Sequence, residues 1–122
     1  MPDPQFQHLK LSMVKDVAVV EICTKELQGV QLAQELDHEL TLVMAQDWAG
    51  RIVIDFRKVA YLSSTGFAAI FKLVSRARAE GREVKLCGME HGVRLGAEIA
   101  GLPKVVELHD DEASALRAFA CG

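Results

Sequence analysis

The stretch Ile52-Val53-Ile54-Asp55-Phe56-Arg57-Lys58-Val59-Ala60-Tyr61-Leu62-Ser63-Ser64-Thr65-Gly66-Phe67 decides how the chain folds. Its first five residues are apolar apart from Asp55, as in a strand covered on both faces. Further on, Phe67, Ile70, Phe71 and Val74 recur at helical spacing. Three hydroxyls, those of Ser63, Ser64 and Thr65, therefore stand in a row at the mouth of a helix, where a parallel sheet ends. Such a place offers backbone N–H groups without intrahelical acceptors, a partial positive charge and an exposed oxygen. It suits a phosphate, either carried by a ligand or added covalently to a serine. Serine is also a favoured N-cap, and Gly66 eases a tight strand-to-helix turn. The two roles are compatible, because a helix N-terminus can be both capped and modified.

Upstream, residues 7–13 and 17–23 read as two strands joined through Val14-Lys15-Asp16, a hairpin. Gln28-Gly29 then punctuates the chain, and a helix follows to about Ala45. Leu32, Leu36, Leu40 and Val43 form its apolar stripe, with Glu35, Asp37 and Glu39 expected towards water. Asp47-Trp48-Ala49-Gly50 is the loop into the strand 51–56. Downstream, the helix from about Ser64 to Glu80 is closed by Gly81 at the C′ position. A strand at 83–87, a helix from Glu90 to Ala100 ending at Gly101, a short strand at 105–108 and a last helix opened by Asp110-Asp111 complete the order. In that last helix Ala113, Leu116, Ala118 and Phe119 are available for burial.

Strands alternating with helices predict right-handed parallel crossovers. The expected fold is a single α/β domain over residues 7–121. It has a mixed, mostly parallel sheet of about five strands, an antiparallel N-terminal edge strand and about four helices. Residues 1–6 read as a flexible N-terminus.

Composition excludes several classes. A chain of 122 residues is one domain and needs no metal or disulfide staple. Half of it is hydrophobic and a quarter charged, an ordinary globular balance. The net charge of −3 argues against nucleic acid as partner. No apolar run approaches the roughly 20 residues of a membrane span, so no direct membrane insertion is expected. The start lacks a basic and an apolar signal region, which points to a cytoplasmic location. Cys23, Cys87 and Cys121 are odd in number and far apart, and read as reduced, partly buried thiols.

Catalytic motifs are missing. His8, His38, His91 and His109 share no short ligand spacing, so no metal is expected. No G-x-S-x-G elbow surrounds Ser63 or Ser64, and no phosphate-cradling or dinucleotide glycine loop occurs. Gly96 and Gly101 read as a helix-packing residue and a helix stop, and Asp110, Asp111 and Glu112 as a capped helix start. Lys72, Arg76, Arg78, Arg82 and Lys85 read as a solvated face. The chain is expected to be no enzyme and to need no cofactor.

These residues resemble the STAS domain, the family of bacterial anti-sigma factor antagonists, over about residues 7–120. The centre of the resemblance is the stretch from Ile52 to Phe67, an apolar strand ending in Asp followed by Ser-Ser-Thr-Gly-Phe. Arg76-Ala77-Arg78-Ala79-Glu80-Gly81-Arg82 is similar to the family's basic, Gly-terminated end of the second helix. Ala100-Gly101-Leu102-Pro103-Lys104-Val105-Val106 is similar to its Gly-Leu step before the last strand.

The resemblance implies a phospho-switched binding protein. It would capture a kinase-type anti-sigma factor, be phosphorylated on Ser64, with Ser63 as the alternative acceptor, and be reset by a serine phosphatase. It also implies a partner surface made by Ser63, Ser64, Thr65, Gly66 and Phe67, bordered by the turn Thr24-Lys25-Glu26-Leu27-Gln28-Gly29. Ser63 stands where many regulated members carry Asp, and Phe67 replaces the usual Leu. A monomer or weak dimer is expected. Two alternatives stay open: a constitutive, non-phosphorylated STAS subunit of a signalling or transporter-associated complex, and a STAS module binding a small molecule or nucleotide beyond the strands' carboxyl ends.

Overall fold

Residues 6–121 are described in the computed structural model, Cys121 by its backbone alone. The N-terminal segment expected to be flexible lies outside the described residues, apart from Phe6.

Strands β1 (Leu9–Val14) and β2 (Val17–Ile22) form the predicted hairpin, with Leu9 opposite Ile22 and Val14 opposite Val17. Lys15 and Asp16 alone make the turn, at φ 49° and 67°. Positive φ at both central residues is what a two-residue type I′ hairpin requires, because its twist matches that of the flanking strands. Strands β3 (Glu26–Leu27), β4 (Arg51–Asp55), β5 (Tyr61–Leu62), β6 (Glu83–Cys87) and β7 (Glu107–His109) are followed, except for β4, by helices α1 (Val30–Met44), α2 (Ser64–Ala79), α3 (His91–Ala100) and α4 (Glu112–Cys121). The main sheet has the order β1-β2-β4-β6-β7, antiparallel only at β1–β2.

Alternation along the central strands divides the core. Ile52 and Ile54 face the layer of α1 and α2, where Ala18, Val20, Leu36, Leu40, Ile70 and Leu73 meet them. Val53 turns to the other face, joining Val17, Val19, Cys87, Ala115 and Phe119 beneath α4. Burial on both faces explains why β2 and β4 are apolar almost throughout. All of Ile52–Phe56 is buried, Asp55 included.

Four expectations need correction. The strand predicted at 105–108 lies at 107–109. Gly101 ends α3 in the left-handed region (φ 83°), and a 3-10 turn over Leu102–Lys104 follows. The N–H groups of Val105 and Val106 then serve the Leu102 carbonyl, at 3.0 and 3.2 Å, so sheet pairing starts only at Glu107. Glu39 is buried instead of facing water, and its Oε1 accepts the backbone N–H of His8 at 2.9 Å. Its carboxylate thereby satisfies a donor at the start of β1 that would otherwise be lost on burial. Cys23 is exposed, while Cys87 is buried as expected.

Arg82 is the fourth. It does not belong to a solvated face, because its guanidinium closes the end of α1. Nη1 donates to the carbonyls of Gln46 (3.0 Å) and Ala49 (2.9 Å), and Nη2 to that of Met44 (2.7 Å). A helix's last carbonyls have no partner of their own, and a fixed guanidinium fork supplies several donors at once. Lys72 and Arg76 do lie at the surface, bonded across to α1 at Asp37 and Thr41.

Candidate functional site

The β3–β5 pair was absent from the sequence reading and builds the site. Glu26 pairs with Tyr61 and Leu27 with Leu62 in a two-residue parallel sheet. The Lys25 carbonyl accepts from Ala60 N–H at 2.7 Å, and the Leu27 carbonyl from Ser63 N–H at 2.8 Å. The Thr24–Gly29 turn is thereby fastened alongside the hydroxyl row.

Ser63 is the N-cap of α2, with extended backbone (φ −76°, ψ 171°). Its Oγ accepts the Gly66 N–H at 3.3 Å and lies 2.9 Å from Thr65 Oγ1. Its carbonyl accepts the first intrahelical bond, from Phe67 N–H at 2.9 Å. Ser64 is the first residue of α2; it is exposed, and among the described residues its hydroxyl makes no hydrogen bond. The amides of Ser64 and Thr65 belong to the first turn, which has no intrahelical acceptors, and they sit at the positive end of the helix dipole.

Gly66 is buried, and its role differs from the expected one. Its φ is not positive. A Cβ at this position would meet Leu62 Cδ1 at 2.5 Å and the Leu27 carbonyl oxygen at 3.1 Å. Glycine is needed because β3 passes so close to the helix. The same crowding recurs between α2 and α3, where a Cβ on Gly96 would meet the Phe67 ring at 3.2 Å. Gly96 is thus the packing residue the sequence suggested.

The five predicted surface residues do not share one environment. Ser64 and Thr65 are exposed, Ser63 and Phe67 half-buried and Gly66 buried. Sequence reasoning missed the exposed apolar residues beside them. Tyr61 is 47% exposed and Ile99 87%; Leu95, also on α3, is 46% exposed. An open cleft of about 440 Å³ runs between α2 and α3, lined by Tyr61, Ser63, Ser64, Phe67, Phe71 and Ile99. The signal was present in α3, whose Leu95 and Ile99 lie four residues apart on the side away from the buried Val93 and Ala97.

A polar cluster flanks the site beyond the ends of β2 and β4. Asp55 Oδ1 accepts the Arg57 N–H at 2.9 Å and crowds Gly88, where a Cβ would lie 2.5 Å away. Glu21 is bound by Arg57 and by Lys58 Nζ at 3.0 Å. The Lys58 and Arg57 hydrogen bonds hold the Glu21 carboxyl below its ordinary range. Glu112, at the start of α4, is pushed upward, first by burial and then by the Asp55 charge. Burial also pushes the Cys87 thiol up to about 12, so it stays protonated and unreactive at neutral pH. Asp111 Oδ1 accepts the Ser114 N–H at 2.7 Å, so Asp111 caps α4 as the sequence suggested.

Among the described residues nothing beside the hydroxyl row activates it. Among the described residues no His, Asp or Glu hydrogen-bonds to Ser63 or Ser64. His8 bonds to Thr24 and His109 to Glu107. No group of three or more His, Cys, Asp or Glu converges on a metal-sized site among the described residues. No helix described is long and apolar enough to cross a membrane.

The family model of the STAS domain matches residues 17–115. BtrV of Bordetella bronchiseptica, a protein carried under the name of an anti-sigma factor antagonist, is 25% identical over 111 residues, 91% of this chain and 95% of its own length. The crystal structure of an anti-sigma factor antagonist from Mycobacterium paratuberculosis superposes with a TM-score of 0.74 at 21% identity, covering 90% of this chain and 91% of that one. The Bacillus cell fate determinant SpoIIAA in its phosphorylated form superposes with a TM-score of 0.67 at 13% identity, covering 91% and 98%. At these identities the solved structures show a shared fold.

Proposed function

The chain belongs to the STAS domain family, and on that premise we propose that it is an anti-sigma factor antagonist switched by phosphorylation of Ser64. It acts by binding and has no catalysis of its own. Its partner is a kinase-type anti-sigma factor, which docks on the surface around the mouth of α2. The partner's base takes the hydroxyl proton, the Ser64 Oγ–phosphorus bond forms, and the γ-phosphoryl's bond to ADP breaks. A serine phosphatase reverses the state by hydrolysis.

One observation carries this reading. Ser64 is exposed at the first position of α2, and no protein group among those described holds its hydroxyl. Ser63, the alternative acceptor, is half-buried and engaged with Gly66 and Thr65. The fold tolerates the modified Ser64. A phosphoserine carries about −1.5 to −2 charges at neutral pH, and the helix dipole favours an anion there by roughly 0.3–1 kcal/mol. A docked partner does not tolerate it. A dianion forced into a close interface meets like charge or loses water, at about 2–5 kcal/mol. At about 1.4 kcal/mol per tenfold, that weakens binding by more than an order of magnitude.

Incubation with the cognate kinase and ATP tests the reading. One phosphoryl group should be gained per chain, located on Ser64 by fragmentation, and Ser64→Ala should gain none. Phosphate on Ser63 alone, or on neither serine, would overturn it.

Ser63 favours a second reading, since it occupies the position where many regulated family members carry Asp. In that reading the chain is a constitutive subunit of a signalling or transporter-associated complex and never meets a kinase. The same incubation separates the two, because a constitutive subunit stays unmodified.

A further inference from the structure

We propose that a second site, at the opposite edge of the parallel sheet, binds a small multivalent anion such as an organic phosphate or a polycarboxylate. It lies where the parallel strands begin. Arg51 and Glu83 open β4 and β6, and Glu107 opens β7. The cleft measures about 680 Å³, within the range of ligand pockets and larger than the one beside Ser64.

Its lining is strongly biased in charge. Arg51, Arg78, Arg82, Lys85 and Lys104 face it against only Glu83 and Glu107, five cations to two carboxylates, a surplus of +3. The whole chain carries −3, so the surplus runs against the balance of the molecule. Three of the cations are fixed in place. Arg82 is pinned by the carbonyls at the end of α1 and paired with Glu80 at 3.3 Å. Lys85 Nζ lies 2.8 Å from Glu107 and 4.8 Å from the Phe119 ring centre, and Arg51 lies 3.6 Å from Glu83 and 5.9 Å from the same ring centre.

The other two are available. Arg78 makes one long bond among the described residues, Nη1 to the Val105 carbonyl at 3.4 Å. Lys104 enters no ion pair among the described residues. Fixed positive charge around a concave surface lowers the cost of ordering a ligand, and two mobile cations at the rim can close on it. The floor is apolar, with Val74, Val84 and Val106. A multivalent anion of metabolite size matches both the charge and the volume. A nucleic acid would instead need an extended basic stripe.

This site is independent of Ser64. Ser64 and Arg78 both lie on α2, and between them the helix axis rises about 21 Å at 1.5 Å per residue. Titration of the full chain with inorganic pyrophosphate and with citrate, followed by amide chemical shifts at about 0.15 M ionic strength, tests it. Saturable shifts are expected at Arg78, Arg82 and Lys104 and not at Ser64–Phe67. Tighter binding of pyrophosphate assigns a phosphate ligand, and tighter binding of citrate a polycarboxylate.

Arg78→Glu combined with Lys104→Glu should weaken binding by about tenfold or more. Both residues are exposed, so the melting temperature should hold. Glu83→Gln, which frees Arg51, should tighten binding. An absence of saturable shifts at millimolar anion, equal binding by the double variant, or shifts confined to the mouth of α2 would each overturn the proposal.

Discussion

Ser63 donates its backbone N–H to the carbonyl of Leu27 at 2.8 Å, and this bond ties the turn before α1 to the mouth of α2. Neither segment is a regular element of the main sheet. Together they form one surface, because β3 and β5 pair for two residues and because Gly66 has no side chain to push them apart.

Gly66→Ala should therefore be costly although its backbone angles suit alanine. The added methyl meets Leu62 Cδ1 and, more stubbornly, the Leu27 carbonyl, a backbone atom that cannot rotate away. Overpacking of this kind costs about 1–3 kcal/mol. A loss of unfolding free energy of that size is expected in urea denaturation, with altered amide shifts at Leu27 and Ser63. Unchanged stability would mean that the close approach relaxes freely.

Ser63→Ala separates capping from switching. It removes the side-chain acceptor of the Gly66 N–H, a loss of about 0.5–2 kcal/mol for an N-cap. Urea denaturation should show that loss, while phosphate uptake at Ser64 persists. Loss of uptake with normal stability would give Ser63 a direct part in the modification.

Much of this site was legible beforehand, for physical reasons that also explain what was not. The run Ile52–Phe56 was readable because burial on both faces leaves few polar residues. Gly81 and Gly101 were readable because helix ends favour residues tolerant of positive φ, and theirs are 74° and 83°. The hydroxyl row stood out because Ser63 caps a helix whose apolar spacing begins at Phe67. Two-residue strands such as Glu26–Leu27 have no period to detect. The burial of Glu39 depends on a donor, His8, distant in sequence. Arg82 looked like one more surface cation because the carbonyls it serves belong to another helix.

Arg82→Lys provides a test of that last point. An ammonium keeps the charge but cannot reach three carbonyls in a fork. Bonds from charged donors contribute about 1.5–3 kcal/mol each when a buried acceptor would otherwise be orphaned. Lysine should lose at least one such bond and lower the urea midpoint, with faster amide exchange at the end of α1. Full stability in the lysine variant would show that charge alone suffices there.

Acid titration should distinguish two carboxyls with opposite shifts. Glu112 is raised above 4.5 by burial and by Asp55. Its proton is held in the folded chain after the unfolded chain has released it. The associated stability is full below 4.5 and is lost as pH rises through the folded value. Glu112→Gln, which stays neutral, should gain on the wild type as pH climbs above that point. Glu21 is lowered from 4.5 by Lys58 and Arg57, so its contribution is present above 4.5 and disappears as pH falls through its folded value. Glu21→Gln should be the less stable protein at neutral pH and should draw level in acid. Stability differences that stay constant across the titration would contradict both assignments.

The most direct measurement compares one protein in two states. Chain phosphorylated on Ser64 and unmodified chain are each titrated against the kinase-type partner by calorimetry, with the melting temperature of both recorded. Nearly equal melting temperatures and an affinity at least about tenfold weaker for the phosphorylated form are expected. Equal affinities, or a phosphorylated chain that no longer folds, would contradict the switch.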